Sequence, residues 1–413
     1  MFVVDFLTNT LNKLAHILDD QNNPLLGPNL RLLKFAGVWQ PVKNRRPGFA
    51  RILVYITLGF FFSQYIKLSL KCTLDKIRLI IQFVPFHTGL LKAVLFVKDH
   101  EKWSELIAYI SSVEREELSK NKPKIKRIVE DYMKYSHRLT YFFWIMAILS
   151  NLGIFADLYQ KVYDQQNINM TDEYINIFDA YTPWSREPPG YFYSLLTQIF
   201  FANVVTLYVM SWDPSVAAAM IFFASQLKIS SIYCEIAIDS ENEEECHQNI
   251  ERCHRFHTKL VRYQEAFNSL ISPAMFVYLI VTSVNLGVCI IEMVELQDNP
   301  AALLSYCVYV LACMIQLLLF YWHSNEVTEE SILVSYGTFR SNWVVSSLQL
   351  QKKVAILAHT ANKRLVFQAG PFNEIFCVGR NLQNAPDHTA PRLPYFTYFT
   401  TENFLKKKQN QIY

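Results

Sequence analysis

The sequence predicts an all-α membrane protein with six clear transmembrane helices, a truncated or degenerate seventh, and a cytosolic N-terminus. Hydrophobic residues make up 51% of the chain and charged residues only 18%, whereas a typical soluble domain carries about 25% charged residues. The apolar residues are also clustered in stretches of about 20, the length that crosses a hydrocarbon core of about 30 Å as a helix. Finally, Lys and Arg are concentrated in alternate connections between these stretches, as the positive-inside rule requires; the exception is the short connection between the first two, which contains Lys71, Lys76 and Arg78.

Six stretches are long and apolar enough to be membrane spans. They cover residues 52–70, 79–97, 139–159, 191–210, 270–294 and 301–322. An amphipathic, charged segment follows the sixth span and is predicted to be a cytosolic helix. The predicted organisation is therefore a cytosolic segment (1–51), a six-helix bundle (52–322), a cytosolic helix with a turn (323–376) and a C-terminal tail (377–413).

The distribution of basic residues places the N-terminus in the cytosol. Residues 1–51 contain seven Lys and Arg, and residues 98–138 contain ten. The connection 160–190 contains only two, against five acidic residues. The N-glycosylation sequon, Asn169-Met170-Thr171, falls in this connection, which is assigned to the outside. Both observations predict the same orientation.

Residues 211–238 are open to two interpretations. Asp213 is suited to an N-cap and Pro214 to a first helical turn, and the following residues are apolar enough to be counted as another crossing. Such a crossing would invert the charge bias of every later segment. We therefore expect this stretch to continue the fourth helix into the cytosol or to pack as its extension. Lys92, in the second span, is expected to extend its ammonium group toward the cytosolic surface.

No catalytic or cofactor motif is found in the sequence. A glycine-rich phosphate loop, a G-x-S-x-G elbow and an HExxH helix are all missing, so the sequence predicts neither an enzyme nor a cofactor. Cys253 and His257 share one helix face, but their neighbourhood matches no standard zinc motif and one straight helix cannot supply four tetrahedral ligands. We expect a packed helix there without a metal. The basic run 121–127 lies close to two spans, which favours contact with membrane lipid over nucleic acid.

The segment behind the sixth span resembles the insect odorant receptor family, whose members are seven-helix receptors that double as ion channels. The inside N-terminus, the long second outer connection and the stretch NLRLLKFAGVWQP also fit this family, and the resemblance covers approximately residues 25–376. The ordered residues that carry it are Ser324-Asn325-Glu326, Ser331, Tyr336, Trp343, Lys352 to Leu357, and the turn Ala369-Gly370-Pro371-Phe372.

The resemblance implies an odorant-gated, nonselective cation channel in the plasma membrane of olfactory sensory neurons. Such subunits form heterotetramers with a shared coreceptor through their cytosolic helices, which gives Tyr336, Trp343 and Leu357 an expected role in assembly. They bind volatile apolar molecules between the second, third, fourth and sixth helices. Ordinary aromatic packing is the alternative for each expected ligand residue; these residues are Tyr306, Tyr309, Trp144, Ile148, Asn151, His87, Val84 and Leu91.

The chain departs from the family pattern after about Phe376. Residues 365–379 are too few and too polar to span a membrane, and Pro386, Pro391 and Pro394 exclude a continuous helix beyond them. A non-conducting variant is therefore an alternative function. A gustatory receptor of the same superfamily is another, although the tail lacks the expected end of its seventh helix. A G-protein-coupled receptor is disfavoured by the predicted cytosolic N-terminus, and a transporter by the absence of clear internal repeats.

Overall fold

The computed structural model describes residues 20, 22–40, 49–73, 76–77, 80–81, 83–120, 122–167, 176–184, 187–295 and 300–370. The sequon at Asn169 and the tail 377–413 lie outside these residues. In the described part the helices are α1 (Gly27–Phe35), α2 (Phe49–Leu70), α3 (Val84–Lys98), α4 (His100–Ser119), α5 (Pro123–Asn167), α6 (Gly190–Glu235), α7 (Glu243–Glu295), α8 (Pro300–Arg340), a 3₁₀ turn (Trp343–Val345) and α9 (Leu348–Ala361). The predicted all-helical membrane fold is confirmed.

Helix α6 is the central element of the bundle and packs against α1, α3, α5, α7 and α8. Every residue from Met210 to Ala224 is buried. This stretch contains three consecutive alanines, Ala217 to Ala219, and such small side chains allow neighbouring helices to approach closely. Helix α8 packs closely against α6 at Gly337, where a Cβ atom would lie only 2.5 Å from the carbonyl oxygen of Ser231.

Asp213 and Pro214 do not begin a new helix, because both lie inside the continuous 46-residue helix α6. Proline has no N–H, so Pro214 cannot donate to the carbonyl of Met210, four residues earlier. The indole Nε1–H of Trp144 on α5 donates to this carbonyl instead, at 2.7 Å. The freed backbone acceptor is thereby satisfied in an apolar region where no water can replace the lost bond. The expectation that residues 211–235 continue the fourth helix is confirmed.

Five helical stretches in the described residues are long and apolar enough to cross a membrane; they lie in α2, α5, α6, α7 and α8. The predicted second span corresponds to α3, which has 15 described residues and begins at Val84 instead of residue 79. The predicted boundary after Trp322 does not interrupt the chain, because α8 continues without a break to Arg340. The cytosolic helix predicted behind the sixth span is therefore partly the end of α8 and partly the separate helix α9.

The N-terminal segment is attached to α4 and α5 through a buried carboxyl group. Glu114 on α4 accepts hydrogen bonds from the backbone N–H of Leu25 and from the hydroxyl of Tyr132, both at 3.2 Å. Gln226 on α6 donates to the same Tyr132 hydroxyl at 3.3 Å. Burial raises the pKa of Glu114 to about 8, against the lowering effect of these two donors. This network joins the residues just before α1 to the helix bundle.

Candidate ligand cavity

A largely apolar cavity of about 130 Å³ lies between α3, α5, α6 and α8. An apolar cavity of about 150 Å³ holds a molecule the size of benzene, so this space suits a small organic molecule. Its walls consist of Pro85 and Phe86 from α3, Phe142, Phe143, Met146, Ala147, Ser150, Asn151 and Ile154 from α5, Thr206 and Val209 from α6, and Tyr309, Ala312, Cys313, Ile315 and Gln316 from α8.

Helical spacing explains which side chains form the walls. On α5, Phe143, Ala147, Ser150 and Ile154 recur at intervals of four, three and four residues, which places them on one face. On α8, Tyr309 and Gln316 are seven residues apart, two turns on the same face, with Ala312 and Cys313 between them. Both stripes are mainly apolar, so the cavity offers dispersion contacts over most of its surface.

A close contact between α3 and α6 borders this cavity. At Gly89 a Cβ atom would lie 2.6 Å from Cγ2 of Val209 and 2.9 Å from Cγ1 of Val205. Because Val209 is itself part of the cavity wall, the glycine fixes how far α3 stands from that wall. A larger side chain at this position would push the two helices apart.

A buried ion pair lies next to the cavity. Nζ of Lys92 on α3 is 2.6 Å from Oδ1 of Asp213 on α6, and their side chains are only 2% and 0% exposed. The amide Nε2 of Gln316, a cavity residue, donates to the other oxygen of Asp213 at 2.5 Å. The ammonium group also lies over the rings of Tyr278 (4.4 Å) and Trp212 (5.0 Å). The expectation that Lys92 extends to the surface is therefore wrong, because this site compensates its charge inside the bundle.

Two of the eight expected ligand residues, Asn151 and Tyr309, line the cavity. The Tyr309 hydroxyl accepts a hydrogen bond from Nδ2 of Asn285 on α7 at 2.8 Å, which fixes its ring against α7. Tyr306 lies one turn before Tyr309 on α8 and is not part of the wall, because Tyr309 is the first of the described α8 residues that line the cavity.

The remaining residues expected on α5 face other surroundings. Trp144 is engaged with the backbone of α6 through the hydrogen bond that compensates Pro214. Ile148 is 49% exposed on the outside of the bundle, one position after the cavity residue Ala147. Trp144 and Ile148 were therefore predicted one residue too late, because the wall residues of α5 are their preceding neighbours Phe143 and Ala147.

The residues expected on α3 lie on a different side of that helix. His87 packs edge-on against Phe61 and Tyr65 of α2, with ring centroids 5.1 and 5.4 Å apart. Val84 and Leu91 do not line the cavity either, whereas Pro85 and Phe86 do. The sequence analysis missed these two residues and also Phe143, Met146, Val209 and Gln316. Cys313 and Gln316 could have been predicted, because they follow Tyr309 on the same face of α8 toward the C-terminus.

The expected assembly residues occupy mixed positions around the end of α8. Tyr336 is exposed on α8, and Trp343 is half-buried with its ring 6.1 Å from that of Phe339. Leu357 on α9 is buried within the chain. Several large apolar side chains near them are exposed to solvent; these are Phe339, Val344, Val345, Leu348 and Ile356.

The cysteine and histidine residues considered for zinc lie at the start of α7. Cys246, Cys253 and His257 are buried, and the thiol of Cys246 donates to the carbonyl of Ser240 at 3.2 Å. Within the described residues no three His, Cys, Asp or Glu side chains lie close enough together to hold a metal ion.

The chain is similar to known receptors in sequence and in fold. Odorant receptor 82a of Drosophila melanogaster is 23% identical over 190 residues, which are 45% of this chain and 48% of that receptor. Odorant receptor 10 of Aedes albopictus is 27% identical over 115 residues, 28% of this chain and 30% of that receptor. The chain thus matches less than half the length of these curated relatives.

Solved structures show the same fold over most of the chain. The insect olfactory receptor OR5 from Machilis hrabei matches with a TM-score of 0.67 and 15% identity, covering 84% of this chain and 90% of that one. The same receptor in complex with eugenol matches with a TM-score of 0.71 and 16% identity, covering 86% and 93%. The family profile described as 7tm Odorant receptor matches residues 78–375. Because this match includes more than half of the sequence, the chain belongs to the 7tm Odorant receptor family.

Proposed function

We propose that the chain is an odorant receptor subunit that binds small, volatile, mainly apolar molecules and gates a nonselective cation channel together with a shared coreceptor. The observation that carries this proposal is the cavity between α3, α5, α6 and α8 in a member of the odorant receptor family. The solved relative that was determined with eugenol shares this fold. An apolar cavity with few polar groups is the usual form of a small-molecule site.

The proposed ligand chemistry follows from the cavity walls. Aromatic rings from Phe86, Phe143 and Tyr309 offer faces and edges to a ligand, and Met146 supplies an adaptable thioether. Among the residues that the structure describes, no cationic side chain lines the space, so an anionic ligand would lose its hydration without gaining a partner there. Neutral compounds with about one ring or a short alkyl chain fit both the volume and the surface.

Assembly with the coreceptor is proposed to use the apolar surface around the 3₁₀ turn and α9. Val345 is 88% exposed, its chain neighbours Val344 and Leu348 are exposed, and so is Ile356 on α9. Large apolar side chains exposed in this number are typical of protein contacts. Of the expected assembly residues, Tyr336 is exposed, Trp343 is half-buried and Leu357 is buried within the chain. A heterotetramer with the coreceptor would bury these side chains.

The proposed location is the plasma membrane of olfactory sensory neurons. Apolar side chains such as Leu152, Leu196, Ile290 and Leu318 are exposed on the spans, and membrane lipid would cover them. In this arrangement the N-terminus is cytosolic and Asn169 is outside. An epitope tag at Met1 that is detected only after permeabilisation supports this orientation, whereas labelling of intact cells contradicts it.

A non-conducting subunit is the second candidate function, and the polar, proline-containing stretch after Phe376 favours it. Co-expression with the coreceptor and recording of odorant-evoked currents separates the two. An odorant-dependent current that is missing with the coreceptor alone supports the first function. A chain that reaches the surface with the coreceptor yet gives no current with any small volatile ligand supports the second.

A pair of neighbouring variants tests the cavity itself. Ala147→Phe places a ring in the cavity, so the half-maximal odorant concentration should rise at least tenfold. Ile148→Phe adds a ring one residue later on the outer surface and should leave this concentration unchanged. Equal effects of the two variants, at equal surface expression, would contradict the proposed binding site.

A further inference from the structure

Two amide side chains, Asn151 and Gln316, interrupt the apolar walls of the cavity. An amide group has a donating end, the NH₂ group, and an accepting end, the oxygen. Which end a ligand meets depends on which end the protein has already engaged. The hydrogen-bond partners of both side chains settle this question.

The orientation of Asn151 follows from a chain of acceptors that starts at a backbone carbonyl. The carbonyl of Ile199 can only accept, so Asn203 directs its Nδ2 to it, at 2.8 Å. Asn203 therefore turns Oδ1 toward Asn151 and accepts from Nδ2 of Asn151, at 3.1 Å. Asn151 is 8% exposed, and its Oδ1 accepts no hydrogen bond from the described residues. The orientation rests on the network and is not an arbitrary choice between oxygen and nitrogen.

Gln316 is oriented in the same sense. Asp213 is paired with Lys92 at 2.6 Å, and a carboxylate in such a pair is an acceptor only. Gln316 therefore directs Nε2 to Asp213, at 2.5 Å, and its oxygen away from this carboxylate. Each amide on the cavity wall thus directs an N–H to a protein acceptor and turns its oxygen elsewhere.

Ser150 adds the complementary group. It lines the cavity one residue before Asn151, and its Oγ has no hydrogen-bond partner among the described residues. A hydroxyl can donate as well as accept. Ser150 and Asn151 together can therefore serve a ligand group that donates one hydrogen bond and accepts another.

We infer that this cavity selects odorants that carry a hydroxyl group, namely alcohols and phenols, over matched hydrocarbons, ethers and aldehydes. The ligand O–H donates to Oδ1 of Asn151, and the ligand oxygen accepts from Oγ of Ser150. A buried acceptor without a donor is unfavourable, and a hydroxyl ligand supplies the missing donor. An ether or aldehyde brings only an acceptor and leaves Asn151 unsatisfied. The inference rests on the proposed function, because it names the ligand class of the same cavity.

The test compares ligands of nearly equal shape on cells that express the chain with the coreceptor. Phenol and toluene differ by exchange of a hydroxyl for a methyl group, and benzyl alcohol and benzaldehyde differ by the loss of the donor. The hydroxyl compound of each pair should have a half-maximal concentration at least tenfold lower. Asn151→Leu should abolish this difference while responses to toluene persist. Gln64→Leu removes a buried amide on α2, outside the cavity, and should preserve the difference.

The outcomes separate the two proposals. Currents with all four compounds at equal half-maximal concentrations overturn the hydroxyl preference and leave the odorant receptor function intact. No current with these compounds or with a wider volatile panel, at normal surface expression, overturns the proposed function. Should Asn151→Leu fail to reach the surface, Ser150→Ala and the ranking in the unmodified chain decide, because a toluene response equal to that of phenol already contradicts the inference.

Discussion

Replacing Lys92 with methionine should destabilise the chain more than any other single loss of charge in the described bundle. Methionine keeps the length and most of the apolar volume of the lysine stem, so packing changes little. The Asp213 carboxylate, which is completely buried, then has no cation within reach among the described residues and retains the amide of Gln316 as its side-chain donor there. Removing one partner of such a pair costs about 3–5 kcal/mol, which is about a third of a typical folding free energy.

The assay combines cell-surface biotinylation with the apparent melting temperature of the detergent-solubilised chain. Lys92→Met should reduce both strongly. The double variant Lys92→Met with Asp213→Leu removes both charges and should be more stable than the single variant, because no buried charge remains unpaired. Lys67→Met is the matched control, since its pair with Asp179 is partly exposed, at 17% and 23%, and Asp179 keeps Lys76 at 3.4 Å. The control should lose less than about 1 kcal/mol.

One result would refute this reasoning. If Lys92→Met matches the unmodified chain in melting temperature and surface level, the pair does not compensate a buried charge. A double variant that is as unstable as the sum of the two single variants would likewise show that the two groups act independently.

Three further predictions concern other contacts. Trp144→Phe removes the indole donor to the Met210 carbonyl and should destabilise the chain by about 1–3 kcal/mol, measured as a lower melting temperature, whereas Trp184→Phe on the exposed connection should have a smaller effect. Gly337→Ala forces a methyl group against the Ser231 carbonyl and should cost about 1–3 kcal/mol, while Gly59→Ala, which has open space, should cost little. The folded chain holds the Glu114 proton up to about pH 8, whereas the unfolded chain holds it only up to about pH 4.5. The contribution of Glu114 to the free energy of unfolding therefore falls as the pH rises through that window, by up to about 1.4 kcal/mol per pH unit. Melting temperatures measured over a pH series check this, and a Glu114→Gln variant that keeps the full slope would contradict it.

The sequence predicted the helices well because membrane spans are defined by long apolar stretches, a local property. Residues 211–235 show where local signals mislead. Asp-Pro is a common start of a helix, yet here the chain continues through it, since Trp144 replaces the missing donor from 66 residues away. Asp213 likewise serves Lys92, 121 residues earlier. Such long-range pairs have no signature in a single sequence.

The sequence predicted only some of the cavity residues, because the cavity also depends on packing between distant segments. Asn151 was identifiable as a polar residue inside an apolar stretch, and Tyr309 as an aromatic residue on a helix face, and both line the cavity. Trp144 and Ile148 were assigned to the ligand face because their spacing is helical, but spacing defines a face without stating which neighbour it meets. Only the packing of α5 against α6 and α8 distinguishes Ala147, in the wall, from Ile148, outside it.

Gln316 connects the cavity to the ion pair, because it lines the cavity and donates a hydrogen bond to Asp213. A ligand that contacts Gln316 touches a side chain that is held by Asp213 and, through it, by Lys92 on α3. Four helices, α3, α6, α7 and α8, contribute to this cluster through Lys92, Asp213, Tyr278 and Gln316. A movement of α8 that follows ligand binding would therefore have to keep or rearrange these contacts.

Protection of Cys313 from a small thiol reagent by odorants tests the central claim, that the cavity is the ligand site, most directly. Cys313 is a cavity residue, whereas Cys307 lies on the same helix, is exposed and lies outside the wall. The rate of modification of each is measured by mass spectrometry in membranes with and without an activating odorant. The cavity site predicts slower modification of Cys313 and an unchanged rate at Cys307. Equal rates at Cys313 with and without a saturating odorant that evokes current would contradict it.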